Sequence, residues 1–262
     1  MKIVVCVKQV PDTTEVRINP ETNTLIREGV ASILNPFDMY AVEEGIRIKE
    51  RLGGTVVVLS MGPPQVAGQL KETISMGVDE AVLVSDRAFA GSDTLATSYA
   101  LAKAIEKIGG VNLIICGKQA IDGDTAQVGP EIAEKMGLPH LTYVKKIEEI
   151  SETEITLERM NEDGYERVQM PLPGLITVVK EINEPRLPSL KGMMRAKKAE
   201  VPIWTAAAIN AEPAKCGLNG SPTWVKRIFI PDLKCQGEIF CGAPEEQVKS
   251  LVNALMGHKV IV

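Results

Sequence analysis

The sequence predicts an α/β protein: a doubly wound parallel sheet, core order 3-2-1-4-5, extended by antiparallel strands and followed by a C-terminal arm. Three observations carry this. A strand-length apolar run followed by a helix-patterned stretch recurs four times before residue 137, as expected of strands joined by crossover helices. After Pro139 the runs become short and alternating, as in antiparallel strands. The composition, 45% hydrophobic and 24% charged over 262 residues, is enough for one large buried core with appendages.

Residues 3–7 (IVVCV) form the first strand, which ends at Lys8. The polar stretch 9–32 contains VRIN and TLIRE around Pro20 to Asn23, a candidate hairpin over the sheet edge. Asn35-Pro36 is a helix start, with Asn as cap and Pro at the first helical position. Ala41, Val42, Gly45, Ile46 and Ile48 line one side of that helix, and Gly53-Gly54 stops it. A strand over 55–60, a turn at Met61-Gly62-Pro63-Pro64 and a helix over 65–76 follow. The third unit is a strand over 81–84 and a helix over 93–108, capped by Ser92 or Asp93. The fourth strand, 111–116, runs into GKQAIDGDTAQVGPEIAEKMGLP, where Ile132, Ala133 and Met136 at helical spacing mark the next helix.

Beyond it, TYVKKIEEI, TEITLERM, YERVQMPL and LITVVK, separated by Ser151-Glu152, Asp163-Gly164 and Pro173-Gly174, read as antiparallel strands. Residues 183–204 are rich in Pro and Lys without periodicity. The stretch to 242 sets Trp204, Trp224, Phe229 and Phe240 among prolines and glycines, an arm suited to packing on another chain. Residues 244–256 form a last amphipathic helix. The expected division is an α/β domain over 1–200 and an arm with its helix over 201–262.

In a doubly wound sheet ligands bind beyond the carboxyl ends of the strands, where the strand order reverses, here between strands one and four. Cys6, Val7, Lys8 and Gln9 would then face residues 117–129 across a crevice, with 35–38, Met61-Gly62 and 86–94 on the same rim. The 117–129 loop is a polar cradle: Gly117 and Gly123 permit close backbone approach, and the Thr125 hydroxyl and the amides of the helix start offer donors to a phosphate. It is neither a P-loop, since five residues separate its glycines and Asp124 stands in the place of Lys, nor a G-x-G-x-x-G fingerprint. The residues alone leave both nucleotide binding and an ordinary strand-to-helix turn open. Asn35 caps the helix, contacts a ligand, or does both. Cys6 and Cys116 are small buried residues rather than reactive thiols.

Several functions are excluded. Acids and bases are interspersed at a net charge of −5, and aromatic residues are only 4%, which argues against a nucleic-acid surface. Five cysteines without a C-x-x-C pair and only two histidines, His140 and His258, argue against a metal centre, a disulfide framework or a histidine triad. The N-terminal apolar run is too short for a signal peptide or a membrane span, so a cytoplasmic chain without membrane insertion is expected.

The 117–139 stretch resembles the signature of the electron transfer flavoprotein beta-subunit family, the smaller chain of a heterodimer. VCVKQVPDT at 5–13, NPFDMYAVEEG at 35–45 and NEPRLPSLKGMMRAKK at 183–198 match the family in the same order, so the resemblance runs to about residue 204. It implies an adenine nucleotide in the crevice: structural AMP in housekeeping members, FAD reduced by NADH in electron-bifurcating ones. SDRAFAGSDTLATS at 85–98 resembles the bifurcating group, as does VKQVPDT with Pro11 and Asp12. The cofactor-binding residues implied are Cys6, Val7, Lys8, Asn35, Asp38, Met61, Gly62, Gly91, Ser92, Asp93, Thr94, Thr97 and Cys116. From the loop they are Gly117, Gln119, Asp122, Gly123, Asp124, Thr125, Ala126, Gln127, Val128 and Gly129. Ser92, Asp93 and Thr94 would offer donors to the flavin, provided the Asp93 carboxylate turns into the helix cap. Leu190, Lys191, Gly192 and Met193 correspond to the family's recognition loop, where Leu190 docks on a dehydrogenase. The partners implied are an alpha subunit, an acyl-CoA or 2-hydroxyacid dehydrogenase, and ferredoxin or flavodoxin. A nucleotide-binding module without a redox role is the reading of a different class.

Overall fold

The computed structural model describes residues 1–12, 32–226 and 237–261. The candidate hairpin around residues 20–23, Phe229 and Cys235 lie outside them. Two compact units divide the chain, Met1–Lys226 and Arg227–Val262.

In the first unit the elements run β1 (Lys2–Cys6), β2 (Gln9–Pro11), β3 (Ser32–Leu34), α1 (Pro36–Leu52), β4 (Thr55–Met61), α2 (Val66–Met76), β5 (Glu80–Val84), α3 (Thr94–Ile108), β6 (Leu113–Gly117) and α4 (Val128–Met136). Then come β7 (His140–Ile150), β8 (Glu154–Asn161), β9 (Gly164–Pro171), β10 (Gly174–Val178), α5 (Leu190–Lys198) and β11 (Ile203–Trp204). Among the described residues, nine strands form one sheet in the order β11-β5-β4-β1-β6-β10-β7-β8-β9, and β2 pairs with β3. The first four strand–helix units therefore give the expected 3-2-1-4 arrangement. The fifth place belongs to β10, which is parallel to both β6 and β7, whereas the sequence pattern suggested that it was antiparallel. Its GLITV is buried at every position, the continuous apolar run of a strand covered on both faces. Within the nine-stranded sheet the antiparallel pairs are β7–β8 and β8–β9, and the separate β2–β3 pair is antiparallel as well.

Alternate residues of β1 feed two cores. Ile3, Val5 and Val7 pack with Ala41, Val42, Ile46, Leu70 and Ile74 of α1 and α2. Val4 and Cys6 pack with Ala100, Leu101, Ile105, Ile132 and Ala133 of α3 and α4. The buried Val, Leu and Ile side chains among them each stabilise the fold by roughly 1.5–3 kcal/mol through apolar burial. The helices thus cover both faces and leave the strand ends as the open rim.

Residues 183–204, rich in Pro and Lys and expected to form an exposed segment, are mostly exposed, and they and the following stretch to 223 are anchored at several points. Arg186 pairs with Glu43 at 2.8 Å and Glu50 at 2.5 Å, and Asn183 donates to Glu44 Oε2 at 2.9 Å. The helix α5, capped by Ser189, lies on α2: a Cβ on Gly192 would fall 1.9 Å from the Ser75 carbonyl oxygen. Trp204 sits in β11 at the sheet edge, half-buried beneath the Lys107 ammonium at 4.8 Å. The second unit contains α6 (Pro244–Gly257), whose Val248, Leu251, Val252 and Met256 are exposed. No described helix is long and apolar enough to cross a membrane.

Candidate functional site

The strand order reverses between β1 and β6, which lie side by side and parallel with Cys6 opposite Cys116. Their carboxyl ends meet the start of α1, and two side chains, Asp38 and Asn35, fasten this junction. Asp38, in the first turn of α1, accepts the Lys8 backbone N–H at 2.8 Å. Burial raises its carboxyl to about 7, against the opposing hydrogen bonds of Asn35, Lys8 and Gly117 and the charge of Lys8. Gly117 permits the approach of α1, because a Cβ there would lie 2.3 Å from Asp38 Oδ1 and 2.6 Å from the Phe37 carbonyl carbon. Asn35, fully buried, donates to the Gln119 carbonyl at 2.8 Å and accepts the Ile121 N–H at 3.1 Å. Its side chain does not cap α1, as the sequence suggested; it braces the 117–129 loop from beneath. The Cys6 and Cys116 thiols lie buried together, and their mutual hydrogen bond and burial push the Cys116 thiol well up, as befits packing residues.

The outer half of the loop has the opposite character. Asp122 pairs with the Lys8 ammonium at 2.7 Å, and Gln119 donates to Asp124. Asp124 and Ala126 both have φ of 54°. This left-handed backbone turns successive amides outward. Among the described residues, the N–H groups of Thr125, Ala126, Gln127, Val128 and Gly129 have no hydrogen-bond partner. Five vacant donors therefore stand at the start of α4, where the helix dipole adds positive potential. Gly123 has open space around it and needs no special backbone angle.

The rim from β5 to α3 is held from the side. Asp86 accepts the N–H groups of Ala88 at 3.1 Å and Ala206 at 3.0 Å. Asp93 caps α3 through the Ala96 N–H at 3.1 Å and also accepts the Thr223 hydroxyl at 2.8 Å. Burial pushes its carboxyl up, but these donors outweigh it and hold the group below the usual carboxylate range. The carboxylate is thus turned into the cap. The Asp93 N–H goes to Ser221 Oγ, the Ser92 hydroxyl to the Phe89 carbonyl, and Gly91 packs against Leu218. Thr94 Oγ1 lies 3.0 Å from Gln127 Oε1 and 3.1 Å from Glu131 Oε1, linking α3 to the loop. Thr97 is one turn further along α3, and Gly62 is fixed at the end of β4 by its N–H to the Val84 carbonyl.

The structure brings the strand ends and the 117–129 loop named from the sequence to one rim; the sequence did not point to Glu131, whose second carboxylate oxygen is buried without a partner among the described residues, nor to Ser221 and Thr223. Polar residues that clasp a distant helix start leave no local pattern. Of the segment likened to a recognition loop, Leu190 is 78% and Met193 41% exposed, Lys191 is exposed, and Gly192 faces α2.

Residues 22–209 match the family model described as the electron transfer flavoprotein domain. The chain belongs to the electron transfer flavoprotein beta-subunit family. It is 53% identical to the electron transfer flavoprotein subunit beta of Thermoanaerobacterium thermosaccharolyticum over the whole of both chains. It is 49% identical to CarD, a subunit of the caffeyl-CoA reductase-Etf complex of Acetobacterium woodii, again over both whole chains. To the protein FixA of Azotobacter vinelandii it is 44% identical, over 98% of this chain and 93% of the other.

The family implies a nucleotide, and the donor set fits one. A run of outward amides at a helix start matches phosphate oxygens in charge and in hydrogen-bond sense. Lys8 and Asp122, paired with each other, close the side of the cradle towards β1.

Proposed function

We propose that this chain is the nucleotide-binding subunit of an electron-bifurcating electron transfer flavoprotein, paired with an alpha subunit in the cytoplasm, with FAD in the crevice and NADH as electron donor. The observation that carries the reading is the run of five vacant amides, Thr125 to Gly129, on a loop braced at the point where the strand order reverses. The resemblance to CarD and FixA supports it. Bound FAD supplies the redox chemistry, accepting two electrons as hydride and passing them on singly.

The protein's part is to hold and orient. The loop amides would take the diphosphate oxygens, and Asn35 keeps the loop at a fixed height above the sheet. Asp93, whose carboxylate is engaged by the α3 cap and Thr223, leaves the Thr94 and Leu95 amides, without partners among the described residues, as the positive end of α3 facing the rim. Leu190 and Met193 on α5 present an exposed apolar tip on a helix that also carries Lys191, Lys197 and Lys198, while Arg195 is held by the Ile74 and Val78 carbonyls; the tip is suited to brief docking of an acyl-CoA or 2-hydroxyacid dehydrogenase. Ferredoxin or flavodoxin would take the other electron. The exposed apolar side of α6 would pack on the alpha subunit.

One observation favours a housekeeping carrier that holds structural AMP instead. The Ser92 hydroxyl and the Asp93 amide are engaged within the chain, which leaves fewer donors for a flavin ring than the sequence suggested. AMP needs only the loop amides. Membership of an electron transfer family stands against a nucleotide module without a redox role. Purification with the alpha subunit, followed by quantification of FAD and AMP and anaerobic NADH addition, decides. Two FAD per heterodimer and bleaching by NADH are expected. One FAD with AMP and no absorbance change would leave the housekeeping reading, and colourless AMP-bound protein the non-redox one.

A further inference from the structure

A buried carboxylate with no buried cation lies under the crevice. Asp38 is 6% exposed and sits between the ends of the two strands that flank the reversal of strand order. Its Oδ2 accepts the Lys8 N–H at 2.8 Å, and Oδ1 abuts the Gly117 backbone so closely that no side chain fits there. A single carboxyl therefore fastens β1 and β6 to α1. The groups that face it do not neutralise it. From β1, the Lys8 ammonium is directed to Asp122 on the surface, and the Cys6 thiol lies among apolar neighbours. From β6 comes the thiol of Cys116; beyond it Lys118 turns to the rings of Tyr143, at 5.2 Å, and Phe37, at 6.0 Å. The first turn of α1 carries no other charge.

We propose that Asp38 is a positioning residue rather than a ligand contact, and that it links proton uptake to occupancy of the crevice: an anionic nucleotide on the loop amides drives its carboxyl to the protonated form. The inference rests on the nucleotide reading above. The link is short. Gly129, whose amide belongs to the vacant run, packs against the Cys116 side chain and Thr177, and Asp38 touches the next residue along β6, Gly117. A phosphate charge there repels a carboxylate that water does not screen. The empty site releases the proton at about 7 and the occupied site at a higher pH. Nucleotide affinity is then constant below about 7 and falls as pH rises above it, tenfold for each unit that separates the two values. A protonated carboxyl still accepts the Lys8 N–H through its carbonyl oxygen, so the junction stays closed in both states.

Two measurements on the heterodimer test this. FAD and AMP affinities are measured from pH 6 to 9 for the wild type and for Asp38→Asn, so that titration of the ligand cancels in the comparison. The wild type is expected to lose about tenfold over that range and Asp38→Asn to bind independently of pH at the wild type's low-pH affinity; parallel profiles would overturn the linkage. Infrared spectra of protein labelled with 13C-carboxyl aspartate need no variant to fold. A protonated-carboxyl band present at pH 6, vanishing towards pH 9 and retained to higher pH with FAD bound is expected; absence of that band at pH 6 would overturn the proposal. Failure of either nucleotide to bind at any pH would sink the nucleotide reading and the linkage with it, while the band would still show whether Asp38 holds a proton.

Discussion

The two halves of the 117–129 loop differ as a footing differs from a grip. In the inner half, from Gly117 to Ile121, the Lys118 and Ile121 amides and the Gln119 carbonyl are met by the β10 backbone and Asn35, and Gly117 lies tight against Asp38 and α1; of the amides there, only those of Gln119 and Ala120 have no partner among the described residues. The outer half, from Thr125 to Gly129, leaves five amides unmet. An unmet amide costs little where water or a ligand reaches it, and much where neither does. The contrast therefore separates residues selected for stability from residues selected for binding, and shows how a short loop can be rigid and still leave donors free.

Substitutions at the footing should cost stability. Gly117→Ala is expected to have the largest effect, because its methyl group would meet Asp38 and the α1 backbone; about 3 kcal/mol of unfolding free energy should be lost. Denaturant titration checks this, and a loss below about 1 kcal/mol would mean that α1 can slide away and that the junction is not tight. Asn35→Ala leaves the Gln119 carbonyl and the Ile121 amide without partners, at about 2 kcal/mol. Amide exchange should then accelerate across residues 119–129 and not in β4 or β5.

Substitutions at the grip should leave the fold alone. Gly123→Val meets open space, so stability should stay within about 0.5 kcal/mol of the wild type, while the nucleotide copurifying with the protein falls severalfold. Full nucleotide content would remove Gly123 from the cradle. Leu190→Ala lies outside both halves and should have the smallest effect on each, with unchanged stability and nucleotide content and slower electron delivery to the dehydrogenase. Equal slowing of flavin reduction by NADH would mean that Leu190 supports the fold instead.

How much of this was legible in the sequence depended on whether a residue's partner was nearby in the chain. The strand–helix units were, because apolar runs and Gly stops are local signals, and so was the gathering of Lys8, Asn35, Asp38 and the 117–129 loop at one rim. The place of β10 was not: LITVV looked like one more strand of an antiparallel series, although its unbroken apolar run was the mark of a strand covered on both faces. The firm seating of 183–223 was hidden because it depends on contacts between distant residues, Arg186 with Glu43, Ala206 with Asp86 and Thr223 with Asp93, rather than on periodicity. The role of Asn35 was hidden for a related reason, since Asn-Pro at a helix start reads as a cap whichever way the amide points.

The insertion of β10 between β6 and β7 has a consequence for the order of assembly. During synthesis β6 emerges with one neighbour, β1, and its other edge must wait for Gly174–Val178, about 60 residues later. The β7-β8-β9 meander can form on its own through short turns, but it joins the main sheet only through β10. Closing a loop of that length costs entropy before any contact repays it, so this docking is the natural slow step of folding. Until it occurs, the edge of β6, beside the 117–129 loop, is the part of the nascent chain most exposed to pairing with the wrong strand.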